Sequence, residues 1–229
     1  MQTEAGKVGH RKLKGNHMLQ HFAPARNHVF VNQKSDLDAL EEQIRANVPA
    51  ELLARPQWVS WKLVPDPAGK KPRKIPYNAR NRKADPTNRA EWQTFDAAIG
   101  TAKRFLHRGV GYVFSSDDPY AGIDLDDCIL GGQMAVQALE RISRLHTYAE
   151  YSHSGTGVHC IALGKLPDHG RKKGNVEMYD DARFFVVTGQ HVAGTPRSIK
   201  NAQEALDKLH LEVFGPAPTE RPPAPVTPV

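Results

Sequence analysis

Leu37, Leu40, Ile44 and Val48 recur at intervals of three and four behind Ser35 and Asp36, and that spacing predicts a capped helix over 35–48 with one buried face. Pro49 ends it. Residues 57–63 (Gln-Trp-Val-Ser-Trp-Lys-Leu) alternate and carry aromatic and β-branched side chains, as a half-buried strand does. Over 92–107, Phe95, Ala98, Ile99, Ala102, Phe105 and Leu106 gather on one side of a helix. Residues 110–114 and 120–128 predict a hairpin about the polar turn at 115–119, and Gly131-Gly132 leads into a helix with Ala135, Leu139 and Ile142 facing inward. Apolar stretches at 147–151, 160–163, 176–180 and 182–187 predict further strands, and 199–209 a last helix.

Three regions follow. Residues 1–34 are polar and basic, with His10, His17, His21 and His28 irregularly spaced and no hydrophobic period, which predicts a flexible basic extension. Residues 35–214 predict the folded domain. From Gly215 onward proline recurs too often for helix or inner strand, which predicts an extended linker over 215–229 and a further C-terminal region beyond it.

Composition narrows the class. Of 229 residues, 39% are hydrophobic and 24% charged, ordinary values for a globular protein. No apolar run is long enough to span a bilayer and the N-terminus lacks the apolar core of a signal peptide, so no membrane association and a cytoplasmic location are expected. Cys128 and Cys160 lie in apolar stretches without metal-ligand spacing and are expected to be small buried side chains. The formal charge of +6 favours an anionic partner.

Within that frame four stretches carry candidate chemistry. In Gly122-Ile-Asp124-Leu-Asp126-Asp127, a strand would project Asp124 and Asp126 from one side; a divalent ion of the Mg²⁺ or Mn²⁺ kind would relieve their repulsion, while an Asp-rich turn at a strand end is the other reading. Lys70, Lys71, Arg73, Lys74, Arg80, Arg82 and Lys83 put seven cations within fifteen residues. Pro72 and Pro76 keep that segment extended, so it suits either a phosphate backbone or plain solvation. The stretch Ser152-His-Ser154-Gly155-Thr-Gly157-Val-His159 makes a small, hydroxyl-rich loop able to approach an anion, or a Gly-rich hairpin turn. Glu177, on a strand expected beside the carboxylate strand, would complete a metal cage or face water at an edge.

The order of these motifs, with Arg183-Phe-Phe-Val-Val-Thr188-Gly after Val-Glu177-Met-Tyr, resembles the archaeo-eukaryotic primase superfamily, and within it the N-terminal primase-polymerase domain of phage and plasmid replication proteins. The resemblance covers roughly 58–191. It implies an α+β fold with an RRM-like sheet, flanking helices and an N-terminal α/β unit. It implies that Asp124, Asp126 and Glu177 bind catalytic Mg²⁺ or Mn²⁺, with Asp180 a rival for the third place. Ser152, Ser154, Gly155, Gly157 and His159 would hold the triphosphate of an incoming NTP or dNTP, with Lys74 and Arg183 assisting. The activity implied is template-directed nucleotidyl transfer on single-stranded DNA with a primer, in a bacterial or archaeal host cell, with a C-terminal accessory or helicase domain. A metal-dependent nuclease and a non-catalytic single-stranded DNA-binding module are the alternatives.

Overall fold

The computed structural model describes residues 33–217, so most of the expected N-terminal extension and residues 218–229 of the expected linker lie outside the described residues. In chain order the elements are α1 (Gln33–Asn47), α2 (Ala50–Leu53), β1 (Trp58–Val64), β2 (Arg73–Tyr77), α3 (Phe95–Phe105), β3 (Gly109–Phe114), β4 (Tyr120–Leu125), β5 (Ile129–Leu130), β6 (Gln133–Met134), α4 (Val136–Leu145), β7 (Tyr148–Tyr151), β8 (Val158–Leu163), β9 (Lys172–Lys173), β10 (Val176–Tyr179), β11 (Arg183–Val187) and α5 (Gln203–Phe214). The class is mixed α+β, with two main antiparallel sheets ordered β11-β3-β1-β2 and β7-β8-β4-β10-β9 and a small β5-β6 hairpin.

Two cores hold these layers together. On one face of the five-stranded sheet, Ala121, Ile123, Leu125, Val158, Cys160, Val176 and Met178 meet Ala138, Ile142 and Leu145 of α4 and Leu206, Leu209 and Val213 of α5. The opposite face contributes Tyr120, Tyr148 and Ile161 to a second core built with Trp58, Tyr112, Phe114 and Phe185 of the four-stranded sheet and with α1 and α3. Alternation along β4 therefore serves two different neighbours, with odd positions toward α4 and α5 and even positions toward the other sheet. Both cysteines are free and buried, as their apolar settings predict.

Several boundaries and pairings differ from the sequence expectations. The helix expected over 92–107 begins at Phe95, because the Thr94 side chain accepts the Ala97 N–H and caps it there. Leu106 takes the left-handed conformation at its C-cap and is exposed, so it leaves the predicted apolar side. On α4 the inward positions are Ala138, Ile142 and Leu145, with Ala135 at the N-cap and Leu139 turned outward. The last helix runs over Gln203–Phe214, while Ile199 joins the second core ahead of it.

The largest difference concerns the expected hairpin of β3 and β4, which do not pair. β3 lies between β1 and β11, whereas β4 lies between β8 and β10. The buried Asp118 carboxylate accepts the backbone N–H groups of Ser115 and Tyr120, the Gln57 amide and the Tyr112 hydroxyl. Those bonds hold a turn that hands the chain from one sheet to the other.

Candidate active site

Register builds the site. Glu150 of β7 stands opposite His159 of β8, His159 opposite Asp124 of β4, Asp124 opposite Glu177 of β10, and Glu177 opposite Lys172 of β9. Partners opposite one another share a sheet face, so five titratable side chains form one row across five strands. The adjacent row, Tyr148, Ile161, Gly122 and Tyr179, is largely apolar and passes beneath the other sheet. Gly122 is required there: a Cβ would stand 2.5 Å from Phe114 Cζ and 2.7 Å from Phe185 Cε2. The Phe185 ring also lies against His159, with centroids 5.1 Å apart.

The charges in the row are unevenly satisfied. Asp124 Oδ1 is buried without a hydrogen-bond partner and lies 3.7 Å from His159 Nε2. Burial raises the Asp124 pKa; His159 and Lys74 act against that rise, and Asp126 and Glu177 add to it. For His159, burial works against the charged ring, but Glu150 and Asp124 on its two sides prevail and raise its pKa. Glu177 is itself buried, yet Lys172 and Arg183 bond its two oxygens, the latter at 3.1 Å, and hold its carboxyl below the usual range despite burial.

Asp126 follows β4 and continues its pairing, its N–H donating to the Asn175 carbonyl at 2.8 Å, and it lies within electrostatic reach of Asp124 and Lys172. Asp127 turns away with φ 45°, where its carboxylate accepts from the Thr156 hydroxyl. Asp180 braces a different segment, its carboxylate accepting the Leu166 N–H at 3.0 Å and lying near Arg171. Of the two acids proposed for the third place, only Glu177 is in the row with Asp124.

The loop between β7 and β8 abuts the carboxylate strand. Ser152 Oγ accepts the Gly157 N–H at 3.1 Å and meets Ser154 Oγ at 3.0 Å, and Ser154 Oγ meets Thr156 Oγ1 at 2.9 Å. Gly155 takes φ 74°, which favours glycine, and a Cβ on Gly157 would meet the Leu125 carbonyl oxygen at 2.8 Å. The His153 ring packs edge-on against Trp61, and Lys74 is within electrostatic reach of Asp124, His153 and His159. Lys70, Lys71, Arg73, Arg80, Arg82 and Lys83 lie along β2, the edge of the four-stranded sheet, and the loops on either side of it; all six are exposed. Asn78 shapes that turn by accepting the Arg80 and Arg82 N–H groups.

The donor set suits a hard divalent ion, with three carboxylates close in register and one oxygen of Asp124 buried and unbonded. The cage is not gathered, however. Among the described residues no three His, Cys, Asp or Glu side chains converge as a ready metal site, and Glu177 is paired with Lys172 and Arg183. Two members of the row, Glu150 and Lys172, are not distinguished as site residues by the sequence. The signal for both is the cross-strand register, which no single strand displays.

No family model matches the chain. A protein named DNA Primase-polymerase, from Nitratiruptor phage NrS-1, is 32% identical over 169 residues, which is 69% of this chain and 21% of that protein. The chain thus spans about a fifth of the length of the relative it matches. Over the aligned residues, therefore, the chain is similar to a phage primase-polymerase, and the match supports a phage primase-polymerase domain.

Proposed function

We propose that this domain catalyses template-directed nucleotidyl transfer: a 3′-hydroxyl forms a bond to the α-phosphorus of an NTP or dNTP, the α-phosphorus to bridging-oxygen bond breaks, and pyrophosphate leaves. The observation that carries this reading is the row placing His159, Asp124 and Glu177 opposite one another, with the Ser152–Gly157 loop at its edge. The name of the phage relative supports the same activity. The strand order β7-β8-β4-β10, with α4 joining β4 to β7, supports the RRM-like version of the α+β fold.

Asp124, Asp126 and Glu177 would hold Mg²⁺ or Mn²⁺. Such ions, when bound, acidify the attacking hydroxyl and neutralise charge on the leaving oxygens. The chain's own groups do the rest. Backbone N–H groups and hydroxyls of the loop, with His159, orient the triphosphate, and Lys74 and Arg183 add positive charge along it. The cations between Lys70 and Lys83 follow the phosphates of a single-stranded DNA template, so binding weakens as salt rises. No helix among the described residues is long and apolar enough to cross a membrane, in keeping with work on nucleic acid in the cytoplasm of a host cell. A C-terminal accessory or helicase region would supply whatever de novo priming needs beyond this domain.

Primer extension with NTPs and dNTPs, in Mg²⁺ and in Mn²⁺, tests the reading. The wild-type chain lengthens a primer, whereas Asp124→Ala with Asp126→Ala loses extension by a factor of about 10³ or more and keeps most of its single-stranded DNA affinity. Shortening of the strand would indicate a nuclease instead, and unchanged activity of the double variant would remove the carboxylates from the chemistry.

A further inference from the structure

Glu150 is 1% exposed, one strand beyond the proposed catalytic groups, and it is more tightly fixed than they are. Oε1 accepts the Thr188 N–H at 2.9 Å, and Oε2 accepts the Gly189 N–H at 2.9 Å and the Tyr148 hydroxyl at 2.8 Å. Three donors from two elements leave this carboxylate little freedom. Its Oε1 lies 3.7 Å from His159 Nδ1, a buried ring nitrogen with no hydrogen-bond partner, while His159 Nε2 faces Asp124 Oδ1 at 3.7 Å. Phe185 covers the ring. A histidine has two distinct nitrogens, and the partner of one decides what the other presents.

We infer that Glu150 is a positioning residue: its fixed carboxylate stands behind Nδ1 of His159 and keeps Nε2 directed to the Asp124 side, where the nucleotide's phosphates are proposed to lie. The inference rests on the proposed role of His159. Its physical core is that a buried carboxylate with three fixed donors is a rigid acceptor, and a ring held from behind loses less freedom when phosphate binds in front.

Glu150→Gln is the informative change. Glutamine offers one acceptor oxygen, which goes to the pair of donors at the Oε2 position, so its amide N–H groups face Thr188 and Nδ1. Histidine nitrogen NMR on the full chain, without nucleotide or DNA, should show the His159 ring resonances displaced in Glu150→Gln relative to the wild type. In primer extension the variant raises the nucleotide KM about tenfold with a smaller change in kcat, and it adds no further loss in a His159→Ala background.

An unchanged ring spectrum overturns the inference, as does an equal added loss in the His159→Ala background, which would mark Glu150 as a structural support for Thr188 and Gly189 alone. Should Glu150→Gln fail to fold, Glu150→Asp, which withdraws the carboxylate while keeping its charge, goes through the same measurements, and a wild-type ring spectrum with wild-type KM again overturns the inference. Absence of primer extension by the wild-type chain overturns the proposed function instead, and the NMR comparison still decides whether Glu150 holds the ring.

Discussion

With Oδ1 unbonded and Asp126 and Glu177 nearby, the Asp124 carboxylate loses solvation on folding without gaining a full set of donors. Its pKa is raised by burial first and by those neighbours after, so above both the folded and the unfolded pKa the charged group counts against the folded state. Asp124→Asn removes the charge at nearly constant shape. In chelator at pH 7 the variant should melt a few degrees above the wild type, while nucleotidyl transfer disappears. Thermal denaturation and primer extension on the same preparation check the pair of outcomes; a lower melting temperature would show that the carboxylate is better solvated than its burial implies. Glu177 sits differently, because Lys172 and Arg183 already neutralise it, and no such gain is expected there.

At the scale of elements, the position of β4 depends on what lies over its even positions. Tyr120 packs into the second core, Gly122 admits the Phe114 and Phe185 rings, and Asp124 emerges where that cover ends. Gly122→Ala would thrust a methyl group into both rings, an overpacking that costs roughly 2 kcal/mol. Because Phe185 also touches His159, the variant should lose activity in excess of its lost stability at temperatures where it remains folded. Urea denaturation beside a primer-extension rate measures the two effects separately. Wild-type stability in Gly122→Ala would mean that the rings can move aside freely.

For the whole molecule, His107 joins elements distant in the chain. The fully buried ring follows α3, meets Ser60 Oγ of β1 at 2.9 Å through Nδ1, and meets Asn81 Oδ1, in the turn of the basic segment, at 2.9 Å through Nε2. Burial, with help from Lys62, lowers its pKa from 6.5 to about 4. The unfolded chain therefore takes up this proton first as pH falls, and the folded state loses stability between the two values, by roughly 3 kcal/mol over the full window. Stability from urea denaturation should be flat above neutrality on this account and fall between pH 6.5 and about 4. His107→Gln should flatten that part of the profile, and an unaltered slope in the variant would assign the fall to other groups.

Much of the local structure is legible along the chain. Leu37 and Ile44 mark the buried face of α1; the alternation in 57–63 marks β1; and the Asp124, Ser152–His159 and Glu177 motifs carry enough chemistry to suggest a site before any fold is known. Alternation shows which residues share a face of one strand, and that is a local property of the backbone. Which strands become neighbours, and in what register, depends on pairing between segments far apart in the chain, and a shift of one residue would have turned Glu177 from the Asp124 face to the opposite one. Tertiary structure alone thus separated β3 from β4 into different sheets, set Glu177 rather than Asp180 opposite Asp124, set Lys172 against Glu177 and placed Glu150 behind His159. The motifs supplied the acids and hydroxyls; sheet register aligned them, because only hydrogen-bonded neighbours bring side chains from five separate segments into one row.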